Sequence, residues 1–298
     1  MKITILHILV CLICFTVQVK AQDFPYRYLP LITIAPTEEA NCMFFDKEGM
    51  MWVGTNAGVK SYDGYQVRTY KTNAYQPGIL PNNTIRSIAE DHQDNLWLGT
   101  RNGLVRMNKR TGKFKTFFLP DESQRIIYTL FVSKDGTLWI GTDGGLSYFN
   151  PKTETFYTYN NKNTWLIDED GSKKKMPVYS VKAIIEDRNG DLLIGTWSSG
   201  LMRFRRGGNT IYRYPRLNAT NSAYSLFLDK HQRLWVGTWG YGVVRLDNPG
   251  NVRQPEMHQY PYSTNHFDTF YKIANDPVTK TLWACTREGV CYLEEDIP

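Results

Sequence analysis

Seven side chains have the types and spacing to hold a ligand that carries hydroxyls or carboxylates: Asn56, Arg101, Asp143, Trp197, Trp239, Tyr241 and Arg287. Six of them directly follow a recurring Gly-Thr pair, which becomes Cys285-Thr286 ahead of Arg287. Tyr241 comes two residues after Trp239. Asn, Arg and Asp make directional hydrogen bonds and charge pairs. Trp and Tyr offer an apolar face with a polar edge, a platform suited to stacking a sugar ring. The same aromatics would serve equally to pack under neighbouring loops or to form a protein interface. Hydrolysis of a glycoside needs two carboxylates on one face, and Asp143 and Glu288 both lie in such turns, each in a variable one. His92 and His231 fall in polar turns at the other end of the repeating unit, and His258 and His266 fall in a linking segment. Within residues 22–298 no metal-ligand spacing, no C-x-x-C pair and no nucleophile elbow occurs. The reading is of a binding chain with no catalytic residue, metal or cofactor.

The elements that position these residues come from a repeat. Met51–Thr55, Leu96–Thr100, Leu138–Thr142, Leu192–Thr196, Leu234–Thr238 and Leu282–Thr286 are variants of Leu-Trp-x-Gly-Thr. Their Trp positions (52, 97, 139, 193, 235 and 283) are separated by 45, 42, 54, 42 and 48 residues. That spacing fits four short strands with their turns, one blade of a β-propeller. Within one unit, Ile85–Glu90, Leu96–Thr100, Leu104–Asn108 and Phe114–Phe118 read as strands joined by Asp/Asn/Gly turns. The fold expected is all-β, with six four-stranded antiparallel blades in view. The Trp of the second strand reads as a wedge in the core between blades. The following Gly allows close backbone approach. The Asp-rich first turns lack the distant Glu of a calcium loop and read as plain hairpins.

Two ring closures fit the sequence. Phe24–Leu31 resembles a fourth strand and would complete the last unit in a six-bladed ring; otherwise the chain is a truncated seven-bladed ring. Asn160–Val178 is a polar insertion that explains the 54-residue gap, with Trp165-Leu166-Ile167 as its anchor. Lys173-Lys174-Lys175 and Arg205-Arg206 read as solvated loops. Cys285 and Cys291 flank one hairpin turn, which leaves open a disulfide or free thiols.

Residues 1–21 read as a secretory signal: Lys2, an apolar run from Ile3 to Val17, and Val19-Lys20-Ala21 before the cut. The apolar run is short for a membrane span. Residues 22–298 then form the propeller domain of an exported, periplasmic chain. Its net charge falls from +6 to +4, too mild and too scattered to argue for nucleic acid.

The repeat Leu-Trp-x-Gly-Thr-x-x-Gly-Leu-x-x-Tyr/Phe, best seen in Leu138–Phe149 and Met51–Asp63, resembles the two-component regulator propeller repeat. The resemblance covers residues 24–295. It implies the periplasmic sensor region of a hybrid two-component histidine kinase that detects glycan breakdown products, with an oligosaccharide or other small ligand as partner. Pairing into a homodimer through the propeller is also expected, with any membrane contact through a C-terminal part beyond these 298 residues. The sequence departs from the family in showing six units and no kinase, with Leu193 in place of Trp and Cys285 in place of Gly. The alternatives are a propeller enzyme acting on polysaccharide, as glycosidase or lyase, and a protein-interaction propeller. Ser133–Trp139 is similar to the Asp-box turn of sialidases but is off by one in spacing.

Overall fold

The computed structural model describes residues 38–75, 78–260, 269–276, 281–286 and 290–293. The signal segment, Phe24–Leu31, His266, Arg287 and Glu288 lie outside them. The described chain is all-β apart from a single 3-10 turn at Glu122–Gln124. It forms six blades, each an antiparallel meander, five with strands A to D and the sixth with strands A to C among the described residues. Blade I is Ala40–Phe45, Met51–Thr55, Gly58–Tyr62 and Val67–Tyr70. Blade II is Ile85–Glu90, Asn95–Thr100, Gly103–Asn108 and Phe114–Phe117. Blade III is Ile127–Val132, Leu138–Thr142, Gly145–Asn150 and Thr155–Thr158. Blade IV is Ser180–Glu186, Leu192–Trp197, Leu201–Phe204 and Thr210–Arg213. Blade V is Ser225–Leu228, Leu234–Gly237, Val243–Leu246 and Met257–Tyr260; blade VI is Phe270–Asn275, Leu282–Thr286 and Val290–Leu293. The A strands of successive blades lie against one another, so they line the axis.

The repeat motif is explained by what each residue touches. Strand B is buried on both faces, and Trp52, Trp97, Trp139 and Trp235 are wedged between blades as expected. Each indole N–H needs an acceptor in that core. Asp46, Asp91 and Asp229, six residues earlier, accept it at 3.0, 2.8 and 3.0 Å, and Ser133 Oγ accepts it in blade III at 3.3 Å. The same Asp also closes the A–B turn: Asp91 Oδ1 accepts from the backbone N–H of Gln93 and Asn95 at 2.8 and 2.9 Å. These turns are hairpins capped by a carboxylate.

Blade IV has Leu193 where the Trp belongs but keeps the carboxylate, Asp187. Its partner comes from strand C. Arg203 pairs with Leu193 in the ladder and donates through Nη2 to Asp187 at 2.6 Å and to Asp191 at 2.8 Å. A guanidinium thus takes the place of the indole.

The Gly two residues after the Trp is required by the next blade. A Cβ on Gly237 would stand 2.8 Å from the backbone oxygen of Phe270, and one on Gly99 would stand 2.6 Å from Ile127 Cγ2. Gly237→Val is expected to destabilise the domain by roughly 2 kcal/mol through overpacking, read as a lower urea midpoint at unchanged slope. Cys285 fills this position in blade VI and is exposed.

Among the described residues the six blades share five apolar cores. Between blades VI and I no such core forms among the described residues. Val290 is 66% exposed, whereas its counterparts Val59, Leu104, Leu146, Leu201 and Val243 are exposed by 1% or less. Met43 on blade I is 65% exposed, whereas Ile88, Leu130, Ile184, Leu226 and Ile273 are exposed by 9% or less. At the axis the two blades still approach, for Lys272 acts electrostatically on Cys42.

Two expectations change, and one alternative is resolved. Residues 160–178 contain a hairpin, Trp165–Ile167 with Lys173–Lys175, whose first strand pairs parallel to Thr210–Arg213 and widens blade IV to six strands. Leu166 and Met176 anchor it in the core. The lysine run is therefore an exposed edge strand, where like charges discourage further pairing; Lys173 and Lys175 lie over the Trp165 ring. His258 lies in strand D of blade V and not in a linker. Cys285 pairs with Val290 and Cys291 with Ala284, so the two cysteines leave opposite faces of the hairpin, and Cys285 is a free thiol.

Candidate functional site: the axial mouth

The B–C turns are shaped by the conserved Thr of the motif within this chain. Thr55, Thr100 and Thr142 Oγ1 donate to the carbonyls of Gly58, Gly103 and Gly145 at 3.0, 2.9 and 3.2 Å. In blades IV and V the turn is one residue longer, and Thr196 and Thr238 donate to Gly200 and Gly242 at 2.7 and 2.8 Å. Those two longer turns carry Trp197 and Trp239. Trp239 is held by its backbone N–H donating to Ser222 Oγ at 3.0 Å, while its carbonyl accepts from Thr220 Oγ1 at 3.1 Å.

Beside these turns every A strand makes the same irregularity. The ladder skips Asn41, Arg86, Tyr128, Lys182 and Tyr271, one residue in each of blades I, II, III, IV and VI. In blade V the Tyr224 N–H donates to Gly237 O, and Ser225 pairs with that same glycine. Two residues opposite one is a β-bulge, and a bulge re-aims its side chain out of the strand's alternation. Here it turns one side chain per blade to the axis at the B–C end.

The result is a contiguous cluster. Arg86 Cζ lies 5.0 Å and Lys182 Nζ lies 3.1 Å from the centre of the Tyr128 ring. Asp143 accepts from Tyr128 OH at 3.0 Å and from Ser180 Oγ at 2.7 Å, and stands 3.9 Å from Lys182 Nζ. On the other side Trp197 meets Trp239 edge to face at 4.7 Å and Tyr224 at 6.0 Å. Tyr224 in turn contacts Trp239 at 5.9 Å and Tyr271 at 5.7 Å. Arg86 of blade II also acts on Tyr224 of blade V, so the two halves face one space.

The electrostatics follow from partial burial. Desolvation pushes the Lys182 ammonium down to about 8; the Arg86 charge adds to this and Asp143 opposes it. Burial, then the hydrogen bond to Asp143, raises the Tyr128 phenol. Burial, then Tyr271, raises the Tyr224 phenol.

Of the residues expected from sequence, the structure brings Asp143, Trp197 and Trp239 into this cluster. Asn56 and Arg101 are exposed on the same rim, their backbone N–H groups donating to Glu39 and Thr84. Tyr241 is 44% exposed beyond Gly240. Arg287 is outside the described residues. Sequence reasoning missed Arg86, Tyr128, Lys182, Tyr224 and Tyr271. Their signal is a fixed offset: the first four stand 13 residues before the motif Gly, and Tyr271 stands 14 before Cys285, across a turn one residue longer.

Away from the axis, Asp247, Glu256 and His258 come together on the outer strands of blade V. Arg245 already donates to both oxygens of Asp247, at 2.6 and 3.0 Å, so this group is an ion-pair network.

The two component regulator propeller family model matches residues 35–57, 79–102, 121–144 and 219–240. These fall in blades I, II, III and V, the four whose B strand keeps both Trp and Gly. Among solved structures the chain is similar to the extracellular domain of a protein assigned to a one component system of B. thetaiotaomicron. The identity is 24% and the TM-score 0.69, over 88% of this chain and 33% of that one. The extracellular domain of a protein assigned to a hybrid two component system of the same organism aligns at 22% identity and TM-score 0.52, over 87% of this chain and 40% of that one. A catalytically inactive virginiamycin B lyase from Staphylococcus aureus aligns at 15% identity and TM-score 0.65, over 84% of this chain and 78% of that one. This chain thus spans about a third of the first of these proteins. At such identities the likeness is one of fold. No curated protein matches the sequence. Four repeats of this six-bladed propeller, those in the blades that keep the full motif, thus match the two component regulator propeller repeat.

Proposed function

We propose that this chain is the ligand-sensing part of an exported, periplasmic two component type sensor, and that its axial mouth holds an oligosaccharide released from a complex glycan. The observation that carries this reading is the aromatic wall of Trp197, Trp239, Tyr224 and Tyr271 standing against polar and cationic groups at one end of the axis. Aromatic faces beside hydrogen-bonding edges are the usual way to hold a sugar ring, which has an apolar face and a hydroxylated rim. Signal output then belongs to segments outside this domain, with ligand binding shifting a pre-existing equilibrium such as the pairing of two propellers.

Titration calorimetry of the purified domain against a panel of oligosaccharides, with product analysis on the same mixtures, tests this. Saturable binding with the saccharide recovered intact supports sensing. Steady release of shortened or unsaturated product would instead make the mouth an active site of the glycosidase or lyase kind.

A further inference from the structure

Eight arginines among the described residues are at least partly buried: Arg86, Arg106, Arg125, Arg203, Arg206, Arg213, Arg233 and Arg245. Seven of them have a carboxylate within ion-pair distance. Arg86 has none among the described residues; its Nε is buried without a hydrogen-bond partner, as are Arg125 Nε and Arg213 Nε, but those two arginines have carboxylates on their other nitrogens. A guanidinium at a bulge, lying over the Tyr128 ring with no carboxylate beside it and aimed into a space walled by aromatics, keeps donors for an incoming oxyanion. It is what a site for an anion looks like before the anion arrives.

The neighbouring charges point the same way. Lys182 shares the Tyr128 ring with Arg86, and the acid near it, Asp143, stands 3.9 Å away. Asp143 is already engaged by the hydroxyls of Tyr128 and Ser180. Among the described residues, the cluster around Tyr128 therefore holds two cations against one carboxylate.

Resting on the saccharide reading above, we infer that the ligand of the axial mouth is negatively charged, a saccharide whose carboxylate or sulfate sits on Arg86 and Lys182 while its ring lies toward Trp239 and Tyr224. Planar guanidinium geometry suits either oxyanion. The lowered proton affinity of Lys182 supplies a second readout: the groups facing it are Arg86, Asp143 and the Tyr128 phenol, whose own proton affinity is raised, so affinity for the anion falls as pH rises through about 8, where Lys182 loses its charge.

The test uses the whole domain and three probes of equal length: a hexuronate-containing disaccharide, a monosulfated neutral disaccharide and an uncharged disaccharide. Binding of either charged probe, weakened roughly 10–100-fold in Arg86→Gln and largely restored in Arg86→Lys, is the expected result. Which of the two binds identifies the oxyanion. Lys182→Gln should weaken binding about tenfold and remove the pH dependence near 8. Unchanged melting of each variant separates loss of the site from loss of the fold. An uncharged probe that binds as tightly as the charged ones overturns the anion inference and leaves the saccharide reading standing. No binding of any saccharide overturns both.

Discussion

Replacing Arg203 with leucine will lower the melting temperature by roughly 10 °C. Arg203 and Asp187 are both buried, and the guanidinium also donates to Asp191 and to the carbonyl of Pro249 at 3.0 Å. Removing one member of a buried pair leaves an uncompensated charge, a cost of about 3–5 kcal/mol. In a domain of this size each kcal/mol shifts the midpoint by roughly 2–4 °C. The turn suffers as well, because Asp187 Oδ1 also holds the backbone N–H of Asn189 and Asp191 at 2.8 and 3.0 Å. The compensating variant is Leu193→Trp combined with Arg203→Leu. It restores the indole that accompanies this Asp in blades I, II and V, and it should recover most of the loss. Differential scanning calorimetry of the single and double variants checks both statements. If the single variant melts within 2 °C or so of the wild type, Arg203 does not stand in for the indole.

Trp197→Ala with Trp239→Ala is expected to reduce saccharide affinity about 100-fold while moving the melting temperature little. The two rings touch at 4.7 Å and form one surface, so each single change should cost roughly 30-fold and the pair less than the product of the two. Little stability is at stake because Trp197 is 38% exposed and Trp239 is tied by its backbone. Calorimetric titration of the single and double variants gives the comparison. Unchanged affinity in the double variant would remove the aromatic wall from the site.

The blades were legible because their core residues sit at fixed positions of a repeat, and each position is forced by a local need. Trp97 needs an acceptor and Asp91 stands six residues earlier. Gly237 needs to be small because Phe270 of the next blade presses on it. Thr142 needs to be a hydroxyl because it closes the turn that presents Asp143. The turn residues of the site were legible for the same reason, and Asp143, Trp197 and Trp239 were found that way. The A-strand half of the site was not. Reading faces from alternation assumes an unbroken register, and the bulge at Arg86, Tyr128 and Lys182 breaks it at the position that matters. The partner of Asp187 was hidden for a different reason. Leu193 reads as a lost Trp, while the compensating Arg203 lies ten residues on, across the ladder.

The junction between blades VI and I bears on the same point. A repeat predicts an equivalent core at every junction, yet Met43 and Val290 keep their apolar character without cover among the described residues. Cys285 is accommodated there because nothing described presses on it as Phe270 presses on Gly237.

A crystal structure of the domain with a saccharide it binds is the most direct measurement. The account requires the sugar ring against Trp239 and Tyr224 at the B–C end of the axis, with its charged group in hydrogen-bond distance of Arg86. A saccharide seated on the outer strands, or at the A–B end beside His92 and His231, would contradict it.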